Sequence, residues 1–135
     1  MVVHTGDSRA ALLRLRSSDS FPKSRVLFYL DAHWESDLPL REEVSLVTGT
    51  WTDSVIVIDD FKVPDDSGYT FDVYGGQALS MEYLGQGVVD PYEVFWPNCP
   101  SSAETGARRG CVVLAAPAVA RQVEGLPELR RAAAV

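Results

Sequence analysis

Acidic residues follow two apolar segments of the chain and could bind a metal ion. Asp31 comes directly after residues 26–30, and Asp59 and Asp60 come directly after residues 55–58. Carboxylate oxygens are the ligands that hard divalent cations such as Mg²⁺ prefer in proteins. The sequence therefore predicts a magnesium site whose ligands are Asp31, Asp59 and Asp60.

A histidine close to these acids could supply a base. His33 lies two residues beyond Asp31, and an imidazole with an ordinary pKa of about 6.5 can accept a proton at neutral pH. The simpler interpretation is that acids at the ends of strands only cap the helices that follow. Three acids and a histidine that follow two neighbouring strands favour the site over this interpretation.

The two apolar segments must be strands that bring the acids together. Residues 26–30 and 55–58 are continuous runs of β-branched, aromatic and leucine side chains, which is typical of strands buried on both faces of a parallel sheet. Neighbouring strands lie about 4.8 Å apart, and ligands bind beyond the carboxyl ends of parallel strands. The acidic residues are therefore expected to project into one crevice.

The remaining pattern predicts one α/β domain over residues 1–135. Strands alternate with helices at a spacing typical of a largely parallel sheet, and the last two strands have no helix between them, so they should form an antiparallel hairpin. The tail, residues 116–124 and 128–134, has helical composition. The predicted order is strand 1–5, helix 9–16, strand 26–30, helix 38–48, strand 54–58, loop 62–76, helix 77–84 and strands 92–96 and 110–115.

The long loop at residues 62–76 is expected to cover the crevice. It is rich in Asp and Gly and contains three aromatic residues, Tyr69, Phe71 and Tyr74. Loops of this length usually carry function. The sequence therefore predicts a mobile cover over the acidic site.

Charge and composition exclude several classes of protein. The net charge is -7, which argues against nucleic acid or an anionic membrane as the main partner. Residues 31–93 carry two basic and fourteen acidic residues. The negative electrostatic potential of this segment suits a metal or a cationic ligand. A solvent-exposed acidic face would have the same composition. No apolar run approaches the roughly 20 residues that span a membrane, and the N-terminus lacks the basic-then-apolar order that is typical of a signal peptide. A cytoplasmic protein acting on a small molecule is expected.

The succession of motifs resembles a known enzyme family. The segments VVHTGDS, VLFYLDAHW and SVIVIDDF, followed by VFWP and GCVVLAA, resemble the C-terminal half of a class I S-adenosylmethionine-dependent methyltransferase. The similarity is greatest to the metal-dependent macrocin and sugar O-methyltransferases, and it covers about residues 1–115. It implies a Rossmann-like methyltransferase sheet with about five strands, mostly parallel and ending in an antiparallel hairpin.

The resemblance also assigns roles to residues. It implies that Asp7 and Ser8 contact the adenine of S-adenosylmethionine, that Asp31, Asp59 and Asp60 bind Mg²⁺, and that His33 is the catalytic base. The family often has an acid at the base position, so His33 departs from its pattern. The implied activity is Mg²⁺-dependent O-methylation of a small hydroxylated metabolite.

The glycine-rich half of that family has no counterpart in this sequence. Neither GxGxxG nor a P-loop is present, so the chain is expected to be an N-terminally truncated domain that binds the cofactor weakly or not at all. A non-catalytic α/β binding module that keeps the metal site is the alternative, and a metal-dependent hydrolase is a weaker one. The strand at 26–30 would lack its neighbour, which predicts pairing with residues 1–5, a homodimer through the exposed sheet edge, or aggregation.

Overall fold

The computed structural model describes residues 2–31 and 37–133 of the 135-residue chain. The predicted α/β class is confirmed, with a five-stranded sheet and a separate two-stranded hairpin. The elements in chain order are α1 (Ser8–Ser17), β1 (Leu27–Leu30), α2 (Leu40–Thr48), β2 (Val55–Ile58), β3 (Val73–Tyr74), β4 (Gln77–Ala78), α3 (Met81–Leu84), α4 (Gln86–Val89), β5 (Glu93–Pro97), a 3₁₀ turn (Ser101–Ala103), β6 (Val112–Ala115), α5 (Ala120–Glu124) and β7 (Leu129–Arg131).

The main sheet is mixed rather than mostly parallel, so this part of the fold prediction was wrong. Its order is β1-β2-β6-β5-β7. Only β1 and β2 pair in parallel, while β2–β6, β6–β5 and β5–β7 are antiparallel. The cause is the predicted C-terminal hairpin, which is confirmed: its second strand lies beside β2 and runs against it. A third antiparallel strand then adds to the outer edge.

Helices cover the two faces of this sheet unequally. On one face, α1 to α4 bury the side chains of β1 and β2 that point towards them, together with Trp51. On the other face, the short helix α5 packs on the centre of the sheet through Ala120 and Val123. Every residue of β6 is buried. The second face is therefore closed at its centre and left open at the β1 edge.

Strand β1 is buried on one face only, contrary to the prediction for residues 26–30. Phe28 and Leu30 point into the core, whereas Leu27 and Tyr29 point outwards and are 65% and 57% exposed. Their neighbours across the pair are Val55 and Val57. The continuous apolar run predicted a strand buried on both faces. In the described part of the chain, other residues cover only one face of β1.

The N-terminal strand prediction was also wrong. Residues 2–5, the described part of the predicted strand 1–5, form no strand, so they do not pair with β1. The predicted first helix is confirmed as α1, and its cap is the Asp7 side chain, which accepts from the backbone N–H groups of Arg9 and Ala10. The second helix begins at Leu40 instead of residue 38, without a side-chain cap.

Residues 62–84 differ most from the prediction. The predicted helix 77–84 is replaced by the hairpin β3–β4 followed by the short helix α3. Gly75 and Gly76 lie at the turn with φ of 56° and 83°, a pair of left-handed residues that a tight hairpin turn requires. Tyr69 from the predicted cover is 5% exposed and donates a hydrogen bond to the Cys99 carbonyl at 2.8 Å. The segment is therefore anchored in the core.

The tail contains a strand where helix was predicted. Residues 128–134 have a composition that favours a helix. Residues 129–131 nevertheless form β7, because they pair with β5. The pairing is reinforced by an Arg131–Glu93 ion pair at 2.5 Å. No helix in the described ranges has the length and apolarity to cross a membrane.

Candidate functional site

The parallel pair β1–β2 brings Asp31 and Asp59 to the same edge of the sheet. Leu30 and Ile58 are direct neighbours in the register, and the Asp59 N–H lies 3.4 Å from the Leu30 carbonyl. Asp31 and Asp59 line the same small cavity, of about 10 Å³, which matches the space of a single water. Two of the three predicted metal ligands therefore lie at the same edge of the sheet.

The cavity has an apolar floor. Besides the two carboxylate residues, its lining consists of Leu30, Leu38, Leu40, Ile58 and Leu79. An apolar surrounding lowers the local dielectric constant, which strengthens the attraction between carboxylates and a cation. A cavity of about 10 Å³ is too small for an organic ligand.

Both oxygens of Asp59 already accept hydrogen bonds. The Tyr29 hydroxyl donates to Oδ2 at 2.5 Å, and the Asp60 N–H donates to Oδ1 at 2.9 Å. The hydrogen bond to the Asp59 carboxylate, followed by burial, raises the pKa of Tyr29 to about 12. Tyr29 therefore stays protonated at neutral pH and orients the carboxylate, a role that the sequence analysis did not assign.

Asp60, the third predicted ligand, forms an ion pair with Arg109. Its backbone is left-handed, with φ of 55°, a conformation uncommon for a residue other than glycine. Arg109 donates through Nε to Asp60 and through its terminal nitrogen to Asp72. The side chains of Asp60 and Asp72 are 17% and 26% exposed. The structure thus gives Asp60 a different cationic partner from the one predicted.

Asp72 joins this site from the predicted cover. Its N–H donates to the Asp60 carbonyl at 2.9 Å, and its carboxylate accepts from the Tyr74 hydroxyl at 2.5 Å. Burial, and then the hydrogen bond to Asp72, raises the pKa of Tyr74. We call the connected set the acidic network: Tyr29, Asp59, Asp60, Asp72, Tyr74 and Arg109.

Asp72 and Arg109 were missed because their partners lie far away in the chain. Arg109 stands in a loop between two predicted strands, with no pattern pointing to Asp60, which lies 49 positions earlier. The one sequence signal for such a residue was the excess of acidic residues in 31–93. Acidic residues that gather at one edge of a sheet need a basic partner, and this partner could have been sought among the arginines.

The predicted adenine contacts lie at the start of α1. Asp7 caps the helix, and its carboxylate also pairs with Arg9 at 2.6 Å, which lowers the pKa of Asp7 to about 2. Arg9 reaches on to Asp37 at 2.8 Å. This ion pair ties the start of α1 to the segment that leads from β1 to α2. Ser8 is the first residue of the helix.

One buried carboxylate lies close to the same helix start. Glu43 of α2 is fully buried, and neither of its oxygens has a hydrogen-bond partner among the described residues. Burial raises the pKa of Glu43, while the nearby Ser8 and Arg9 oppose the shift. No sequence signal distinguished Glu43 from Glu42, because only the helix register separates them.

His33, the predicted catalytic base, lies outside the described residues. Within residues 2–31 and 37–133, no group of three or more His, Cys, Asp or Glu side chains is arranged to hold a metal ion. The described part of the site therefore has Asp31 and Asp59 at one sheet edge, and Asp60 beside them is paired with Arg109.

Comparison with known proteins adds no assignment, because no family model, no curated protein and no solved structure matches this chain.

Proposed function

We propose that this chain is an O-methyltransferase-like α/β module that binds Mg²⁺ through Asp31 and Asp59. One observation carries the proposal: Asp31 and Asp59 follow the only parallel pair of the described sheet and are among the residues that line one cavity. The Rossmann-like interpretation of the sheet belongs to the same proposal. It is supported by this parallel pair, by helices on both faces and by the hairpin that follows.

The residues fit a magnesium ion better than they fit the cofactor. Asp31 and Asp59 supply hard oxygen ligands, and a bound ion would lower the pKa of a hydroxyl on a small substrate. Asp7, the implied adenine contact, has its carboxylate engaged by the cap and by Arg9, and the chain has no glycine-rich loop for the cofactor. The proposal therefore assigns metal binding to this chain and no methyl-transfer step.

Titration calorimetry with MgCl₂ tests the metal site. Wild type should bind one ion, and Asp59→Asn should weaken binding about tenfold or more, because a carboxylate ligand is lost. Asp19→Asn is the matched control, since it removes the same charge from an exposed position outside the site. Equal binding by wild type and Asp59→Asn would contradict the proposal.

Titration calorimetry also distinguishes the two hypotheses of an active enzyme and a non-catalytic binding module. Titration with S-adenosylmethionine should give weak binding or none if this chain is a module that keeps only the metal site. A micromolar dissociation constant, about -8 kcal/mol, would instead favour an active methyltransferase whose cofactor contacts include residues outside the assigned set.

A further inference from the structure

Strand β1 has an outer edge that no described strand covers. It is the first strand in the sheet order, and its one described partner is β2. The Val26 carbonyl accepts from the Val55 N–H at 3.0 Å. Because alternate residues of a strand direct their backbone groups to opposite edges, those of Leu27 and Tyr29 face away from β2. Such an edge can pair with a further strand.

The same two residues extend an apolar surface to this edge. Leu27 and Tyr29 are largely exposed, and their neighbours in the register are Val55 and Val57, which pack against the core on the α5 side. Edge strands of soluble proteins are usually protected by a lysine, a proline or a bulge. The β1 sequence, LFYL, contains neither lysine nor proline. A strand added here would bury part of both exposed side chains.

The two ends of β1 carry opposite charges. Arg25 lies two residues before the strand and Asp31 directly after it, and both are exposed. The Arg25 N–H donates to the Asp53 carboxylate at 3.0 Å, which helps to fix the backbone at this end. If two copies of β1 run antiparallel with Phe28 opposite Phe28, Arg25 of each copy comes opposite Asp31 of the other. Parallel copies in register would instead place like charges opposite each other, which is destabilising.

The backbone favours the same antiparallel register. In this register Leu27 of one copy lies opposite Tyr29 of the other, and the outward-facing N–H and C=O groups of both residues face each other. Each such pair exchanges two hydrogen bonds. The side chains form aliphatic–aromatic pairs across the strands, which add to the stability. A shift of one residue would place outward-facing groups opposite groups that are bonded to β2.

We infer that β1 is the interaction surface for a second copy of this chain, which adds antiparallel across a two-fold axis at Phe28. The two five-stranded sheets then become one continuous sheet, and a two-fold dimer is the commonest form of symmetric association. Because β1 has four residues, the paired edge is short, and the dimer is weak and reversible. The pairing needs no metal ion, so it stands or falls independently of the proposed function.

Charge reversal at the two ends tests the pairing. Analytical ultracentrifugation gives the dissociation constant of the dimer, in EDTA so that no divalent ion screens Asp31. Arg25→Glu and Asp31→Arg should each raise this constant about tenfold, because both symmetry-related pairs become repulsive. The double variant should return to within about threefold of wild type, since it restores opposite charges with the ends exchanged.

Arg14→Glu is the matched control for these variants. It makes the same change in charge at an exposed position on α1, and it should dimerise within about twofold of wild type, because screening weakens the effect of a distant charge. The inference is overturned if wild type stays monomeric, if the single variants dimerise as well as wild type, or if the double variant is as weak as the single ones. An equal loss in the control would show a general charge effect instead.

Hydrogen exchange of the wild type provides a readout that needs no substitution. In NMR spectra, the amides of Leu27 and Tyr29 should exchange more slowly as the protein concentration rises, because dimerisation gives them hydrogen-bond acceptors. The Phe28 amide faces β2 in both states and should change little. Equally fast exchange of Leu27 and Tyr29 in monomer and dimer would place the contact on another surface and overturn the inference.

Discussion

At the residue scale, Glu43 is unusual because an ionisable side chain lies in the hydrophobic core. It is a fully buried acid without a hydrogen-bond partner in the described structure. Burying an unpaired carboxylate is costly unless it takes up a proton, and burial raises the pKa of Glu43 accordingly. Asp7 and Asp37 add to the rise in the pKa, whereas Ser8 and then Arg9 counteract it.

This environment predicts that the contribution of Glu43 to the free energy of unfolding falls as pH rises. Because the folded pKa of Glu43 lies above the unfolded value of about 4.3, the contribution of its protonated form is complete below that value and is lost as pH rises through the folded pKa. Glu43→Gln removes the titration. Urea unfolding should show the variant more stable than wild type at pH 8, by about 1–2 kcal/mol, with a smaller gain at pH 5.

Glu42→Gln is the control for that measurement. Glu42 stands beside Glu43 on α2, but its side chain is 69% exposed, so its replacement should change the free energy of unfolding little at either pH. A gain for Glu43→Gln that is the same at pH 5 and pH 8 would contradict a raised pKa.

The same scale shows which site residues the sequence could predict. The shared edge of Asp31 and Asp59 was predictable because each is the first residue after a strand, and parallel neighbours end at one edge. The partner of Asp60 was not predictable, because Arg109 lies 49 positions later in the chain. A pattern of apolar residues carries no information about such a contact.

At the element scale, the segment after β2 and the start of β6 approach each other closely at Gly110. The Phe61 N–H donates to the Gly110 carbonyl at 2.8 Å. A Cβ atom on Gly110 would lie 2.2 Å from the Phe61 carbonyl oxygen. Only a residue without a side chain therefore lets these two segments meet.

This approach predicts that Gly110→Ala destabilises the fold. The added methyl group must push apart two backbone segments, which should cost about 1–3 kcal/mol of unfolding free energy, measured by urea denaturation. Gly87→Ala is the control, because a Cβ there meets nothing within 4 Å and lies in helix α4. The control should be neutral or slightly stabilising. Similar losses in both variants would contradict the argument.

Helices and strands were predictable where the local sequence pattern favours the same structure that the packing and strand pairing of the fold require. Helix α1, strands β1 and β2 and the hairpin β5–β6 follow from capping, apolar runs and turn signals. Strand β7 was not predictable, since alanine and arginine favour a helix and only the pairing with β5 makes residues 129–131 a strand. The parallel character of the sheet was overestimated for a related reason: hydrophobic runs reveal burial and do not reveal direction.

At the scale of the whole molecule, β1 is an edge strand with an apolar outer face. Its one partner in the described sheet is β2, and Leu27 and Tyr29 are largely exposed. Unpaired edges of this kind promote association between chains. Of the three outcomes expected for this strand, pairing with residues 1–5 is wrong, and association between copies stays a prediction.

A lysine on the edge tests this association. Analytical ultracentrifugation should show wild type forming dimers as its concentration rises, and Leu27→Lys staying monomeric, because an edge charge opposes strand pairing. Leu13→Lys is the control, since Leu13 is also exposed, at 47%, but lies on α1. Wild type that stays monomeric throughout, or equal association by all three proteins, would contradict pairing through β1.

The sheet order has a further consequence for how the protein is made. Strand β2 pairs with β6, whose residues are synthesised about 60 positions later. At the roughly 5–20 residues per second of translation, β1 and β2 spend about 3–12 seconds outside the ribosome before their central partner exists. During that interval the parallel pair has a second open edge and uncovered apolar side chains. The nascent chain therefore exposes these apolar side chains while residues 60–110 are being synthesised, and slower translation over that range would prolong the exposure.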